Sequence, residues 1–145
     1  MDKETTAMFI GHKECYGLDE GKLLSAIVGL IDEGYMEFLC GGMGNFDMTC
    51  ARRVKGLEKA YPHIRCYLVI PHLTFNISGK DYFDEIIYPE GFEKYHFKAA
   101  IPKRNKYMVD NSSAAVCYVT HDWGGAAKTY SLAVKAEHKI INTAD

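Results

Sequence analysis

Short apolar runs alternate with longer amphipathic stretches along the whole chain. Residues 7–10 are an apolar run that stops at Gly11 and His12. Between residues 18 and 34, Leu23, Leu24, Ile27, Leu30 and Ile31 recur at helical spacing. Asp19 and Glu20 suit the helix start, and Gly34 its end. Residues 36–40 (MEFLC) form a second apolar run, which breaks off in Gly41-Gly42-Met43-Gly44-Asn45 ahead of a helix over about 46–59. Residues 64–71 (IRCYLVIP), rich in β-branched and aromatic side chains, predict a third buried strand closed by proline. A polar loop covers 72–80, a short strand 85–88, and a weaker helical pattern 91–100 ends before Pro102. Residues 114–120 (AAVCYVT) are a strong strand, followed by a helix to about Glu137 and a closing strand at 139–142.

This alternation predicts an α/β, Rossmann-like three-layer domain, a mainly parallel sheet flanked by helices, because parallel strands need crossover connections that are usually helical. No repeat or linker-like tract interrupts it, so residues 1–145 read as a single domain.

Composition narrows the function classes. The chain is 48% hydrophobic and 25% charged with a formal net charge of -2. No general basic field is available to neutralise a nucleic-acid backbone, which makes nucleic acid an unfavoured partner. Cys15, Cys40, Cys50, Cys66 and Cys117 form no C-x-x-C pair, and no signal-like segment precedes the first strand, so free thiols and a cytoplasmic home are expected. No apolar run approaches the roughly 18 residues of a membrane span. The six histidines are not paired at helical spacing, so no metal site and no cofactor are expected.

In an open parallel sheet, ligands collect beyond the carboxyl ends of the strands, where helix N-termini present free N–H groups. Three loops hold that station: Gly11-His12-Lys13, Gly41 to Asn45, and Asp122-Trp123-Gly124-Gly125. The G-G-x-G of Gly41, Gly42 and Gly44 has the strand-to-helix context a phosphate loop requires, although tight turns of this kind favour glycine in any case. Beyond Gly125, Lys128 and Thr129 are either phosphate contacts or ordinary surface residues of the helix. Arg104 and Asn105 stand at a helix start in this reading, as a crevice-facing pair or a solvated basic turn. His12 and His121 end crevice-facing strands; Asp47 is explained by the helix dipole or by a ribose hydroxyl. Trp123 either stacks on a base or packs under its loop. Phe75, Tyr82, Phe83, Tyr88, Phe92 and Tyr95 either form an oligomer interface, dimer or tetramer, or pack the middle of the chain.

The combination L-C-G-G-M-G-N-F-D, P-K-R-N-K-Y-M-V-D and V-T-H-D-W-G-G-A-A-K-T resembles the SLOG superfamily of Rossmann-like nucleotide-binding domains, within it the YpsA-like (DUF1273) proteins. The resemblance extends over nearly the whole chain. Relatives include LOG-type enzymes, once labelled lysine decarboxylase-like, which cleave the base from nucleoside monophosphates, the DNA-processing protein DprA, and bacterial defence sensors of nucleotide-derived signals. The LOG motif P-G-G-x-G-T-x-x-E meets Trp123-Gly124-Gly125-Ala126-Ala127-Lys128-Thr129 here, without its proline, third glycine or acid. The resemblance therefore implies binding more than turnover: a bacterial or phage sensor, regulator or scavenger of a signalling nucleotide. The alternatives are a phosphoribohydrolase-like enzyme with Glu85, Glu90 or Asp122 as a displaced acid, and an interaction protein with a relict site.

Overall fold

A computed structural model describes residues 1–145. Six strands form one sheet: β1 (Thr6–Gly11), β2 (Glu37–Cys40), β3 (Arg65–Val69), β4 (Glu85–Ile87), β5 (Ala114–Tyr118) and β6 (Lys139–Asn142). Their spatial order is β4-β3-β2-β1-β5-β6, and every pairing is parallel. Helices α1 (Glu20–Asp32) and α2 (Asn45–Leu57) cover one face, α3 (Phe97–Asp110) and α4 (Gly125–Lys135) the other. The chain is thus the three-layer α/β domain that the strand and helix alternation implies.

Strand side chains point alternately to the two faces. Ala7, Phe9, Phe38, Cys40, Cys66, Leu68, Ala114 and Val116 enter the core under α1 and α2, while Met8, Ile10, Leu39, Val69, Ala115 and Cys117 enter the one under α3 and α4. Burial on both sides is why the central strands read as unbroken apolar runs. All five cysteines are free and buried. Helix α1 begins at Asp19, whose carboxylate accepts the Gly21 and Lys22 N–H groups, and it buries Leu23, Ile27, Leu30 and Ile31. No helix is long and apolar enough to cross a membrane.

The middle of the chain departs from the sequence pattern. Helix α3 begins at Phe97 and runs through Pro102 to Asp110, rather than ending before the proline. The proline withholds one bond from the exposed Lys98 turn, where water can serve the carbonyl instead. This register puts Arg104 inside the helix and not at its start. Of the six middle aromatics, Phe83 and Phe92 are buried and Phe75, Tyr82, Tyr88 and Tyr95 half-buried.

Glu137 has φ 60°, the one non-glycine residue with positive φ, as α4 closes with the His138 N–H bonded to the Ala133 carbonyl at 3.0 Å. That backbone region suits glycine at a helix end. Glu137→Gly is expected to stabilise the fold by about 0.5–1 kcal/mol, read as a rise in the thermal unfolding midpoint; a fall would show that Glu137 earns its place through its side chain.

Candidate functional site

From β1 the sheet builds outward through β2, β3 and β4, and the chain then returns to the other side of β1 with β5 and β6. The segments after β1 and β5 consequently lead to helices on opposite faces, and a crevice opens between them. A cavity of about 480 Å³ fills this crevice, within the size range of small-molecule sites. Its walls come from Gly11 to Glu14 after β1, Gly41, Met43 and Asp47 at the start of α2, Ile101 to Met108 of α3, and His121 to Thr129 around the start of α4.

Two glycine loops reach this crevice and differ in what their glycines do. Gly44 caps α2 with φ 90°, and a Cβ there would lie 2.5 Å from the Lys13 carbonyl oxygen. That oxygen accepts the Asn45 N–H at 3.1 Å, and the Asn45 side chain bonds the N–H and the carbonyl of Cys15, each at 2.8 Å. The protein's own β1–α1 loop therefore lies against the start of α2 and takes its first N–H, while the Phe46 and Asp47 N–H groups have no acceptor in the protein. A Cβ at Gly42 would meet Leu68 at 2.5 Å, and one at Gly41 would press on the Arg104 guanidinium at 3.1 Å. Close packing against three neighbours accounts for the whole G-G-x-G sequence.

The later pair is open. Gly124 caps α4 with φ 91° and no side chain caps this helix; a Cβ at Gly124 or Gly125 would meet nothing within 4 Å. The N–H groups of Gly125, Ala126 and Ala127 have no acceptor in the protein, the first bond of this end being Lys128 N–H to the Gly124 carbonyl at 3.1 Å. No acid stands in the first turn. Unpaired donors and the positive end of the helix dipole together attract an anion.

Arg104, only 2% exposed, lies at the floor of the cavity. Its Nη1 donates to the carbonyls of Gly41 and Val69, both at 2.8 Å, its Nε donates to Asn105 Oδ1 at 2.9 Å, and its Nη2 rests on Met43 Sδ at 3.3 Å. The guanidinium ties the ends of β2 and β3 to α3, and most of its donors are committed to the protein. Nearby Asp47, 8% exposed, accepts the Met43 N–H on Oδ2 at 3.1 Å, while Oδ1 takes no hydrogen bond from the protein. Burial pushes its carboxyl up to about 6, with the Met43 N–H and the Arg104 charge pulling the other way. The cavity so holds a carboxyl that titrates near neutrality and has one oxygen open.

Along another wall three rings stack. His12 and His121 lie with centroids 3.7 Å apart and planes 12° from parallel, and His121 and Trp123 3.8 Å apart and 13° from parallel. His12 Nε2 accepts the Thr120 N–H at 2.8 Å, and His121 Nδ1 sits 2.9 Å from the Trp123 carbonyl oxygen, which makes it the donor there. Burial lowers the pKa of His12, and the neighbouring His121 lowers it further, so the His12 ring favours its neutral form.

This architecture has relatives among solved structures. DprA from Streptococcus pneumoniae superposes with a TM-score of 0.66 at 16% identity, over 95% of this chain and 50% of that one. The chain therefore spans half of the pneumococcal protein. DprA from Helicobacter pylori, described for its single-stranded DNA binding mode, gives 0.64 at 15% identity over 93% of this chain and 63% of that one. The structural-genomics target TM1055 gives 0.63 at 12% identity, over 94% and 72%. The chain has the Rossmann-like α/β fold of these proteins. In sequence it is 29% identical over 135 residues to YoqJ, an uncharacterised SPbeta prophage-derived protein of Bacillus subtilis (strain 168), with 79% of each chain covered. No known family profile matches it.

Within this Rossmann-like frame, Gly11, His12, Gly41, Arg104, Asn105, Trp123, Gly124, Gly125 and Thr129 line the cavity. Gly42, Gly44, Asn45, Asp122 and Lys128 do not; the first three hold loops together, and the last two are exposed beside the α4 start. Thr129 donates its hydroxyl proton to the Gly125 carbonyl at 2.9 Å. Glu85 and Glu90, proposed as displaced acids, are exposed at β4 and beyond it, and Asp122 also lies outside; the carboxylates that line the cavity are Asp47 and Glu14. Lys13 and Met43 join the wall from within the two early loops and Met108 from the P-K-R-N-K-Y-M-V-D stretch, while Glu14 and Ile101 join it without any motif to mark them. Only the helical spacing of Ile101, Arg104, Asn105 and Met108 (i, i+3, i+4, i+7) signals that they share one face, and it becomes visible once α3 is known to pass through Pro102.

Proposed function

We propose that this chain binds a nucleotide or nucleotide-derived signalling molecule, as a sensor, regulator or scavenger, with a phosphate at the N-terminus of α4. The observation that carries this reading is the set of three unpaired N–H groups at Gly125, Ala126 and Ala127, beside a cavity of about 480 Å³ with Arg104 at its floor. The open oxygen of Asp47 supplies an acceptor for a ribose hydroxyl. The fold is shared with DprA from Helicobacter pylori, described for its single-stranded DNA binding mode, which agrees with a nucleotide-bearing ligand; a cavity of about 480 Å³ and the net charge of -2 favour one small molecule over a strand. A prophage-derived relative fits a scavenger of a host signal.

Native mass spectrometry of the purified protein, followed by identification of released small molecules, is expected to find a phosphate-bearing nucleotide. Gly125→Asp tests the position. Open space receives the side chain, and an acid in the first turn favours the free protein by about 0.3–1 kcal/mol, while the same charge repels a phosphate. A variant that is more stable yet binds nucleotide at least tenfold more weakly is the expected result; unchanged affinity would remove the phosphate from this helix.

A second reading rests on Asp47. A carboxyl raised to about 6 in a cavity suits acid–base chemistry, and a phosphoribohydrolase would use it to steady the developing charge of N-glycosidic cleavage. Release of free base from nucleoside monophosphates, abolished in Asp47→Asn, would establish that reading, and no release with binding retained would leave the sensor or scavenger.

A further inference from the structure

Trp123 is the only tryptophan and is 69% exposed, yet it is not a loose surface residue. One face of the indole lies on His121, which lies in turn on His12, and both imidazoles are fixed by bonds to backbone groups of the same loop. The opposite face has no aromatic partner. Such an arrangement holds a large apolar ring in water in one orientation, at the mouth of a cavity and immediately before the open end of α4. A ring that served only as packing would be covered, as Phe9, Phe38 and Phe46 are.

We propose that Trp123 is the stacking platform for the ligand's base, which continues the His12–His121–Trp123 ladder as its fourth ring. The proposal rests on the nucleotide reading and deepens it. The base lies on the free indole face while the phosphate lies on the N–H groups that begin two residues later, so one short segment holds both ends of the ligand. A purine, with two fused rings, covers an indole more fully than a pyrimidine does. The histidines set the tilt of the platform and exclude water from its rear face. Lys13 and Glu14, the charged groups of the facing β1–α1 loop, line the same cavity.

The probes are the four ribonucleoside 5′-monophosphates and ribose 5-phosphate, titrated by calorimetry and by the fluorescence of the single tryptophan. In the wild type, a purine monophosphate is expected to bind at least tenfold more tightly than ribose 5-phosphate and to quench Trp123, with the sugar phosphate leaving the emission unchanged. Trp123→Ala is expected to bring the nucleotide down to the affinity of ribose 5-phosphate without altering the latter, and Trp123→Phe to retain most of the difference. Nucleotide affinity unaffected by Trp123→Ala would overturn the platform and leave the phosphate site standing. Failure of every probe to bind the wild type would overturn both.

Discussion

Arg104→Ala is expected to destabilise the fold by about 3–5 kcal/mol, enough to unfold much of the protein at growth temperature. Truncation leaves the Gly41 and Val69 carbonyls, both bonded at 2.8 Å in the native protein, without their donor inside a buried region. It also removes the cation that partly offsets the Asp47 carboxylate and leaves a void under the loop between β2 and α2. Arg104→Lys keeps the charge, but a single ammonium cannot reproduce a fork that also reaches Asn105, so it should recover part of the loss and not all. Chemical denaturation measures both. A loss below about 1 kcal/mol for the alanine variant, the level of a surface change, would mean that the guanidinium is placed for a ligand and contributes little to the ends of β2 and β3.

Asp47→Asn should act in the opposite direction. The carboxyl sits at about 6 in the folded protein against an ordinary value of 3.8. A raised folded pKa means that the folded state holds the proton more tightly than the unfolded chain does. The stability this group contributes is complete below about pH 3.8 and is lost as pH rises through 6, leaving an ionised buried carboxylate as a net cost at neutral pH. Asparagine keeps an acceptor for the Met43 N–H and carries no charge. The variant is therefore expected to be more stable than wild type at pH 7.5 by on the order of 1–3 kcal/mol, the scale of a two-unit shift. That advantage should shrink toward zero by pH 4. Urea midpoints of the two proteins at both pH values test it, and taking the difference removes titrations common to both, including those of His12 and His138. A variant less stable than wild type at pH 7.5 would refute the argument. Weaker nucleotide binding alongside higher stability would mark Asp47 as a residue held for the ligand at the expense of the fold.

The sheet and its crevice were legible in the sequence because central strands buried on both faces leave continuous apolar runs and because β1 and β2 stop at glycine. Helix α3 was not. Arg104 occupies a buried position where periodicity calls for an apolar residue, and Pro102 looks like an end although it costs only one bond on an exposed turn. Nor could the sequence tell which glycine loop is open. Gly44 and Gly124 have nearly the same backbone angles, φ 90° and 91°, and each opens a helix with no side-chain cap. What separates them is that Lys13 and Cys15, far upstream, pack against the end of α2 through Asn45 and take its first N–H, whereas nothing lies against Gly124 or Gly125. No local pattern around Gly44 records that distant occupant. Trp123 carried the reverse ambiguity, since a tryptophan beside Gly-Gly reads equally as cover for the loop or as an open ring, and only its 69% exposure separates the two.

Strand order also governs when the protein can begin to work. Ala7 of β1 pairs with Phe38 on one side and with Ala114 on the other. On the ribosome, strands β1 to β4 can associate as soon as they emerge, but β1 keeps a bare edge until residues 114–118 follow, and α4 comes later still. For most of its synthesis the nascent chain thus offers an open hydrogen-bonding ribbon to any extended neighbour. The same late event that seals this ribbon brings Trp123 and the free N–H groups beside His12, so a chain truncated before β5 would be both adhesive and blind to its ligand.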